Sequence, residues 1–125
     1  MRIISGFHKG KKIQAPNNLP IRPTTDRAKE SLFNILENRY IFENKKILDL
    51  FSGSGNISFE FSSRANVNIT AVDNNINCIE FIRKLNKELN YSITSVQSDC
   101  LDYINNTNEK FDIVFMDPPY NYEEY

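Results

Sequence analysis

The sequence lacks the features that mark membrane, secreted and metal-binding proteins. No apolar run approaches the length of a membrane span, and the N-terminus has no apolar signal-peptide core. The two cysteines, Cys78 and Cys100, have no metal-type spacing, so we expect free thiols, a cytoplasmic location and no bound metal. The single histidine, His8, has no evident carboxylate or cysteine partner, which favours a surface or phosphate-contacting role over catalysis.

The composition is that of one globular domain. The chain has 125 residues, of which 40% are hydrophobic and 25% charged, values typical of a soluble protein with its own core. It contains no internal repeat and no low-complexity tract. For an α/β enzyme the chain is short.

Charge is unevenly distributed, although the net charge is only −1. Residues 1–30 hold seven basic and two acidic side chains, a balance of +5, whereas residues 31–125 hold eight basic and fourteen acidic ones, a balance of −6. This asymmetry indicates an N-terminal segment that contacts a polyanion. The alternative is a basic surface that only faces solvent.

A glycine loop between a strand and a helix predicts a ligand site. Residues 45–51 are typical of a buried strand, residues 52–55 read Ser-Gly-Ser-Gly, and a helical pattern follows, as in a Rossmann-like unit. The dinucleotide fingerprint requires a third glycine where Ser58 stands, and the lysine of a Walker loop is absent. An acid, Asp49, instead lies four residues before Gly-x-Gly. This arrangement favours a cofactor with an ammonium group and no pyrophosphate, such as S-adenosylmethionine.

Acidic residues also end the next predicted strands. Asp73 ends the second strand, where an acid accepts hydrogen bonds from ribose hydroxyls, and Asp99 follows the third, where it can accept from an adenine amino group. Each acid has an alternative role as the cap of the helix that follows. Because right-handed crossovers join parallel strands, Asp49, Asp73, Asp99 and Asp117 are expected at one edge of the sheet.

The apolar run 111–116 predicts a fourth, buried strand that ends at Asp117-Pro118-Pro119-Tyr120. The two prolines stiffen the loop. The Asp117 carboxylate and the Pro118 carbonyl are a pair of acceptors suited to the two hydrogens of an exocyclic amine, and Tyr120 offers a ring on which a base can stack. The alternative is a turn that simply ends the strand.

The N-terminal region predicts an extension of this domain. Residues 1–14 are typical of a short β-hairpin with basic residues at its turn, and prolines then predict an irregular linker. A helix is expected to begin at Thr24 or Thr25. Three basic residues that suit phosphates or carboxylates surround its start: Arg22, Arg27 and Lys29. We therefore expect a basic arm at 1–23 that contacts a polyanion, followed at 24–125 by the N-terminal part of the Rossmann-like domain.

Several motifs resemble those of a known family. Residues 49–55 (DLFSGSG) look like motif I of class I S-adenosylmethionine-dependent methyltransferases, and residues 117–120 (DPPY) like their amino-methylating motif IV. Three N-terminal segments resemble the RsmD family: residues 1–6, 22–27 and 32–36. That family methylates the exocyclic N2 amine of a guanine in bacterial 16S small-subunit ribosomal RNA, either as free RNA or in the assembling subunit.

The resemblance implies a role for each matching residue. Asp117, Pro118 and Tyr120 would hold the guanine. The cofactor contacts would be Asp49, Phe51, Gly53, Ser54, Gly55, Asp73, Asn74, Asp99 and Cys100. The RNA contacts would be Arg2, His8, Lys9, Lys11, Lys12, Arg22, Thr24 and Arg27. The implied fold is a Rossmann-like methyltransferase fold, mainly parallel, with helices on both faces, and the complete protein is expected to be a monomer.

Two departures from the family pattern leave alternatives open. Ser58 stands where the family usually has a glycine, and four core strands are predicted where the fold has seven. We therefore expect either a fold truncated after the fourth strand, with a hydrophobic edge and low stability, or a partner that supplies the missing edge. The alternatives are a DNA adenine or cytosine amino-methyltransferase and an inactive fragment that binds cofactor or RNA.

Overall fold

The computed structural model describes residues 1–16, 19 and 24–118. Its helices are α1 (Asp26–Arg39), α2 (Asn56–Arg64), α3 (Ile76–Leu89) and α4 (Cys100–Asn106). Its strands are β1 (Lys46–Leu50), β2 (Asn68–Asp73), β3 (Ile93–Gln97) and β4 (Ile113–Met116). Strand and helix alternate from β1 to β4 in the predicted order.

The four described strands form one parallel sheet in the order β3-β2-β1-β4. In the centre, Asp49 of β1 lies opposite Ala71 of β2 on one side and Phe115 of β4 on the other. Because all strands run in one direction, the loops that follow them meet at the carboxyl edge of the sheet. The predicted parallel sheet is confirmed.

Helices cover both faces of the sheet. Since side chains alternate along a strand, Ile47 and Ile69 belong to a core cluster that includes side chains of α2 and α3. On the opposite face, Leu50 and Val72 pack with Cys100 of α4. This arrangement confirms the predicted α/β architecture.

β4 is not the fully buried strand that the apolar run predicts. It lies at the edge of the sheet, and its residues alternate between half-buried and exposed. Val114 and Met116 are 56% and 54% exposed, because no part of the described chain covers that face of the strand. The prediction of burial is therefore wrong, whereas the hydrophobic edge expected for this strand is present.

α1 begins where the sequence predicts. The Thr25 hydroxyl accepts a hydrogen bond from the backbone N–H of Ala28 at 3.1 Å, which makes Thr25 the N-cap. On the buried face, the Phe33 ring meets the rings of Phe42 and Phe61 edge-on, at centroid distances of 6.3 and 4.7 Å. α1 thus joins the core that contains α2.

The N-terminal arm is a minimal hairpin. Among the described residues its antiparallel bridge joins Arg2 to Lys12, and the Ile13 N–H donates to the Met1 carbonyl at 2.8 Å. Ile3 and Ile13 are buried in the main core, so the arm packs against the domain. The proposed boundary at residue 23 stays a prediction.

The turn of the hairpin rests on the last turn of α2. Gly6 has a φ of +92°, and a Cβ on it would lie 1.8 Å from the Ser63 carbonyl oxygen, so this position requires glycine. Next to it, the Phe7 N–H donates to that same oxygen at 2.6 Å. The His8 N–H donates to the Ser63 hydroxyl at 3.0 Å.

A buried carboxylate, Glu60 of α2, joins the arm to two helices. Its oxygens accept hydrogen bonds from the backbone N–H groups of Ile4 and Ser5 at 2.9 and 3.2 Å. The Lys29 ammonium of α1 lies 3.2 Å from Oε1, and Arg64 Nε donates to Oε2 at 2.8 Å. A fully buried carboxylate needs such a complete set of donors to offset its lost hydration.

The sequence left both phosphates and carboxylates open as partners of the basic residues at the start of α1. The partner of Lys29 is a carboxylate, that of Glu60. The Lys29 side chain is 1% exposed, and its ammonium also donates to the Arg2 carbonyl and to Asn56 Oδ1. Burial lowers the pKa of Lys29, and the charge of Glu60 opposes that shift. Lys29 is therefore a structural residue.

Two further expectations concern the chain as a whole. None of the helices in the described part combines the length and the apolar character that crossing a membrane requires. Cys78 and Cys100 are both free and buried, which confirms the predicted thiols.

Glu60→Gln should lower the free energy of unfolding by about 3–5 kcal/mol, because it leaves the buried Lys29 ammonium without its counter-ion. Urea unfolding of both proteins measures the difference. Asp26→Asn is the control, since the Arg2–Asp26 pair at 3.3 Å is about half exposed and should be worth roughly 1 kcal/mol or less. Equal effects of the two substitutions would contradict the role given to Glu60.

Candidate functional site

The loop after β1 bends sharply at the carboxyl edge of the sheet. Phe51, Gly53 and Gly55 all have positive φ angles, of 57°, 56° and 83°. A Cβ on Gly55 would lie 2.8 Å from the Phe59 ring and 3.0 Å from Ile82 of α3, so glycine here allows the backbone before α2 to pack closely against these two side chains. The loop therefore presents backbone, and few side chains, to the space above the sheet.

Asp49 is a buried carboxylate directly beneath this loop. It is 1% exposed, and the Ser58 hydroxyl of α2 donates to its Oδ2 at 2.6 Å. Burial raises the pKa of Asp49 to about 7, the Ser58 hydrogen bond opposes this shift, and the negative charges of Asp73 and Asp117 add to it. Asp49 consequently changes charge near neutral pH.

Asp73 ties the glycine loop to the end of β2. Its Oδ2 accepts a hydrogen bond from the Gly53 N–H and its Oδ1 one from the Asn75 N–H, both at 2.9 Å. The alternative role of Asp73 as a helix cap is wrong, because the Asn75 side chain caps α3 through the N–H groups of Asn77 and Cys78. Between them, Asn74 is exposed at the same edge.

Asp99 follows β3 and does cap a helix. Its Oδ1 accepts from the Leu101 and Asp102 N–H groups at 2.9 and 3.2 Å, at the start of α4. The capping role that the sequence left open is therefore present. Cys100, the next residue, is buried, and burial raises the pKa of its thiol to about 11.

The corner after β4 lies beside the glycine loop. Leu50 pairs with Met116 in the sheet, so Asp117 leaves β4 at the level where Phe51 leaves β1. Asp117 is exposed and near enough to Asp49 for its charge to raise the pKa of Asp49. Pro118 is half-buried, whereas Pro119 and Tyr120 lie outside the described residues.

The residues predicted to contact RNA are spread over the arm and the start of α1. Lys9, Lys11 and Lys12 are exposed, as are two arginines, Arg2 and Arg27. Thr24 is half-buried, and Arg22 lies outside the described residues. The ring of His8 is hydrogen-bonded to the Tyr91 hydroxyl and stacks edge-on against the Tyr91 ring.

The arm runs along α2, so its two ends lie at opposite edges of the sheet. Met1 is near the glycine loop, where its sulfur accepts a hydrogen bond from the Ser54 hydroxyl at 3.4 Å. His8, at the other end, contacts Tyr91, which precedes β3 at the amino edge. The hairpin turn is thus remote from the cluster of acids, whereas the paired ends of the arm are close to it.

Sequence reasoning missed two residues that shape this site. It treated Ser58 only as a missing glycine, although a hydroxyl nine residues after an acid in a strand–loop–helix unit can reach that acid. It also gave no role to Asn75, whose position before an apolar helical pattern is a recognisable N-cap signal. Both residues hold backbone or acids in place at the carboxyl edge.

The parallel sheet, the glycine turn and the acids after successive strands define a Rossmann-like domain of the class I methyltransferase type. A solved structure, the putative methyltransferase yhhF from Escherichia coli, matches this fold with a TM-score of 0.84 and 32% identity. The match covers 95% of this chain and 64% of that chain. Residues 1–125 match the sequence profile of the family described as Conserved hypothetical protein 95, and the chain belongs to that family.

Two relatives illustrate the family. The chain is 38% identical to Ribosomal RNA small subunit methyltransferase D of Buchnera aphidicola subsp. Acyrthosiphon pisum, over 95% of this chain and 62% of the relative. It is 34% identical to the putative rRNA methyltransferase YlbH of Bacillus subtilis, over 96% of this chain and 67% of the relative. The first relatives found are covered for 61% and 62% of their length, so the chain corresponds to about six tenths of them.

Asp49→Asn should make the protein more stable at high pH relative to the native sequence. A carboxyl group whose pKa is raised from 3.8 to about 7 holds its proton more tightly in the folded state. The native protein therefore loses stability as pH rises through this range, by about 3 kcal/mol between pH 5 and pH 8 from this group. Asparagine is neutral throughout, and urea unfolding at both pH values measures the difference. If the free energies of unfolding of the two proteins changed equally with pH, the raised pKa of Asp49 would be contradicted.

Proposed function

We propose that the protein transfers a methyl group from S-adenosylmethionine to the exocyclic N2 amine of a guanine in small-subunit ribosomal RNA. The observation that carries the proposal is the adjacency of two loops on paired strands. One loop combines a glycine turn with Asp49 and Asp73, and the other carries the Asp117–Pro118 corner. The names of the relatives, which are ribosomal RNA methyltransferases, point to the same chemistry.

The residues at the carboxyl edge fit the proposed cofactor. Asp49 offers a buried carboxylate to its ammonium group. Each Asp73 oxygen accepts one loop N–H, which leaves lone pairs for the two ribose hydroxyls. In the same loop, Ser52 Oγ is buried and has no hydrogen-bond partner within the described residues, as expected of a polar lining that a ligand completes. When bound, the cofactor would supply an electrophilic methyl group on its sulfonium.

The adenine end of the cofactor would lie near the start of α4. Asp99 caps that helix through Oδ1 alone, so Oδ2 is left to accept from the adenine amino group. The neighbouring Cys100 is neutral at physiological pH and buried, which suits contact with an uncharged base. Asn74, exposed beside Asp73, would contribute to the ribose site.

The corner after β4 would hold the amine that is methylated. A guanine amine is a poor nucleophile because its lone pair is delocalised into the ring. If the Asp117 carboxylate and the Pro118 carbonyl accept its two hydrogens, a pyramidal nitrogen with a localised lone pair is favoured. The contribution of the protein is then mainly positioning and electrostatics, with Tyr120 proposed to stack on the base.

The basic arm would bind RNA phosphates. Lys9, Lys11 and Lys12 are exposed on a hairpin that hydrogen bonds hold against α2. Charges on a fixed support neutralise phosphates without first having to be ordered. His8 would have at most an indirect part, since its ring is engaged with Tyr91.

Incubation of the protein with a methyl-labelled cofactor should place label on unmethylated small-subunit RNA or particles, and nucleoside mass spectrometry should identify N2-methylguanosine. Asp117→Ala should reduce turnover by roughly a hundredfold or more, since it removes one positioned acceptor. It should leave the affinity for S-adenosylhomocysteine nearly intact. Label in DNA adenine or cytosine, or cofactor binding without any transfer, would each refute the proposal.

Two control variants separate the roles of the acids in this experiment. Asp112→Ala removes an acid at the amino end of β4, where it accepts from the Lys46 N–H, and should leave turnover largely unchanged. Asp73→Ala should instead weaken cofactor binding by about 1–3 kcal/mol, because it removes hydrogen bonds to a charged group. A large loss of cofactor affinity in Asp117→Ala would contradict the separate roles proposed for Asp73 in cofactor binding and for Asp117 in turnover.

Replacing Lys9, Lys11 and Lys12 with glutamine should weaken RNA binding and flatten its dependence on salt. For each phosphate that is no longer neutralised, the slope of log affinity against log salt should fall by about 0.7–0.9. Titrations at several salt concentrations measure the slope. The same replacement at Lys87 and Lys110, both exposed on the body of the domain, is the control. Equal effects per charge removed would show that the arm does not bind RNA specifically.

A further inference from the structure

Ser58 stands in the place of a glycine and carries a hydrogen bond that glycine cannot make. Its hydroxyl donates to Asp49 Oδ2 at 2.6 Å, a short bond of the kind formed with a charged acceptor. Ser58 is fully buried and Asp49 is 1% exposed, so neither group can exchange this bond for one with bulk water. The bond therefore persists as long as α2 stays packed on the sheet.

The position of Ser58 in α2 strengthens its effect on Asp49. Ser58 is the third residue of the helix, within the first turn, where backbone N–H groups have no partner inside the helix. Its backbone N–H, like its hydroxyl, favours the charged form of Asp49. A glycine at this position would keep the backbone contribution and lose the hydroxyl.

The other titratable groups around Asp49 oppose its ionisation. Asp73 at the end of β2 and Asp117 after β4 are both acids, and their charges favour a protonated Asp49. Cys100 of α4 is protonated near neutral pH. Lys29, the buried cation of α1, is engaged by Glu60. The Ser58 side chain is thus the main side-chain group that favours the Asp49 carboxylate.

We propose that Ser58 is a positioning residue for the cofactor, holding the Asp49 carboxylate charged and in one orientation towards the ammonium group. The inference rests on the proposed cofactor site, because it assigns Asp49 to that ammonium. It predicts that cofactor binding near neutral pH releases a proton from Asp49. It also predicts that affinity rises with pH until Asp49 is fully ionised in the free protein.

The link between the two residues is tested first without cofactor. Ser58→Ala removes the hydroxyl and little else, and the Asp49 carboxyl is followed by NMR as pH is changed. The midpoint of its titration should rise by roughly one to two pH units in the variant, since a hydrogen bond to the charged form is removed. An unchanged midpoint would overturn the proposal.

Ser62→Ala is the matched control. Ser62 is another buried serine of α2, and its hydroxyl has no hydrogen-bond partner among the residues that the structure describes. Its removal should leave the Asp49 titration unchanged. A shift in both variants would mean that the effect comes from loosened packing of α2, and the proposal would fail.

Calorimetry with S-adenosylhomocysteine, which retains the ammonium group, then tests the consequence for binding. At pH 7 the affinity of Ser58→Ala should fall roughly tenfold, and it should approach the native value near pH 9. Measurements in buffers of different ionisation enthalpy count the protons released. In a protein that already carries Asp49→Asn, adding Ser58→Ala should change the affinity for S-adenosylhomocysteine little, because no titrating carboxylate remains at position 49.

The outcomes distinguish the two proposals. If the native protein binds no S-adenosylhomocysteine at any pH, the proposed function fails, while the NMR titration still decides whether Ser58 controls Asp49. If the native protein binds it and Ser58→Ala binds equally well at every pH, the positioning role fails and the cofactor site stands.

Discussion

The burial of Glu60 is the constraint on which the rest of the structure depends. A carboxylate without solvent is tolerated only when donors surround it, and here they come from the arm, from α1 and from α2 itself. If the arm or α1 moves away, the buried Glu60 carboxylate loses hydrogen-bond donors that solvent cannot replace. The ionic cluster therefore helps to fix how the N-terminal segment, which has only one antiparallel bridge among the described residues, packs along α2.

The same helix serves the scaffold and the site. Ser58 and Glu60 are two residues apart on α2, and both side chains are fully buried. Ser58 contacts the acid beneath the glycine loop, while Glu60 secures the arm. A single placement of α2 therefore satisfies both requirements, and Gly55 allows the backbone before this helix to lie close to Ile82 of α3. The position of Asp49 beneath the glycine loop and the position of the arm are consequently linked through one helix.

Local sequence signals predicted most of the fold and part of the site. The alternation of strand and helix, the Thr25 cap and the placement of Asp117 beside the glycine loop follow from periodicity, capping rules and parallel topology. What could not be predicted depends on tertiary neighbours. The sequence does not reveal that Lys29 turns inward to Glu60, or that one face of β4 is uncovered. Nor does it reveal that Ser58, which stands where the family usually has a glycine, donates a hydrogen bond to Asp49.

Because Gly6 contacts the end of α2, the length of that helix sets the distance between the hairpin tip and the glycine loop. Nine helical residues span about 14 Å, with the glycine turn at one end and the hairpin tip at the other. A nucleic acid strand that touches both the tip and the carboxyl edge must bridge this fixed interval. Under the proposed function, substrates would then be sorted by the distance between a phosphate and the reactive base, a selection by length that needs no contact with the intervening sequence.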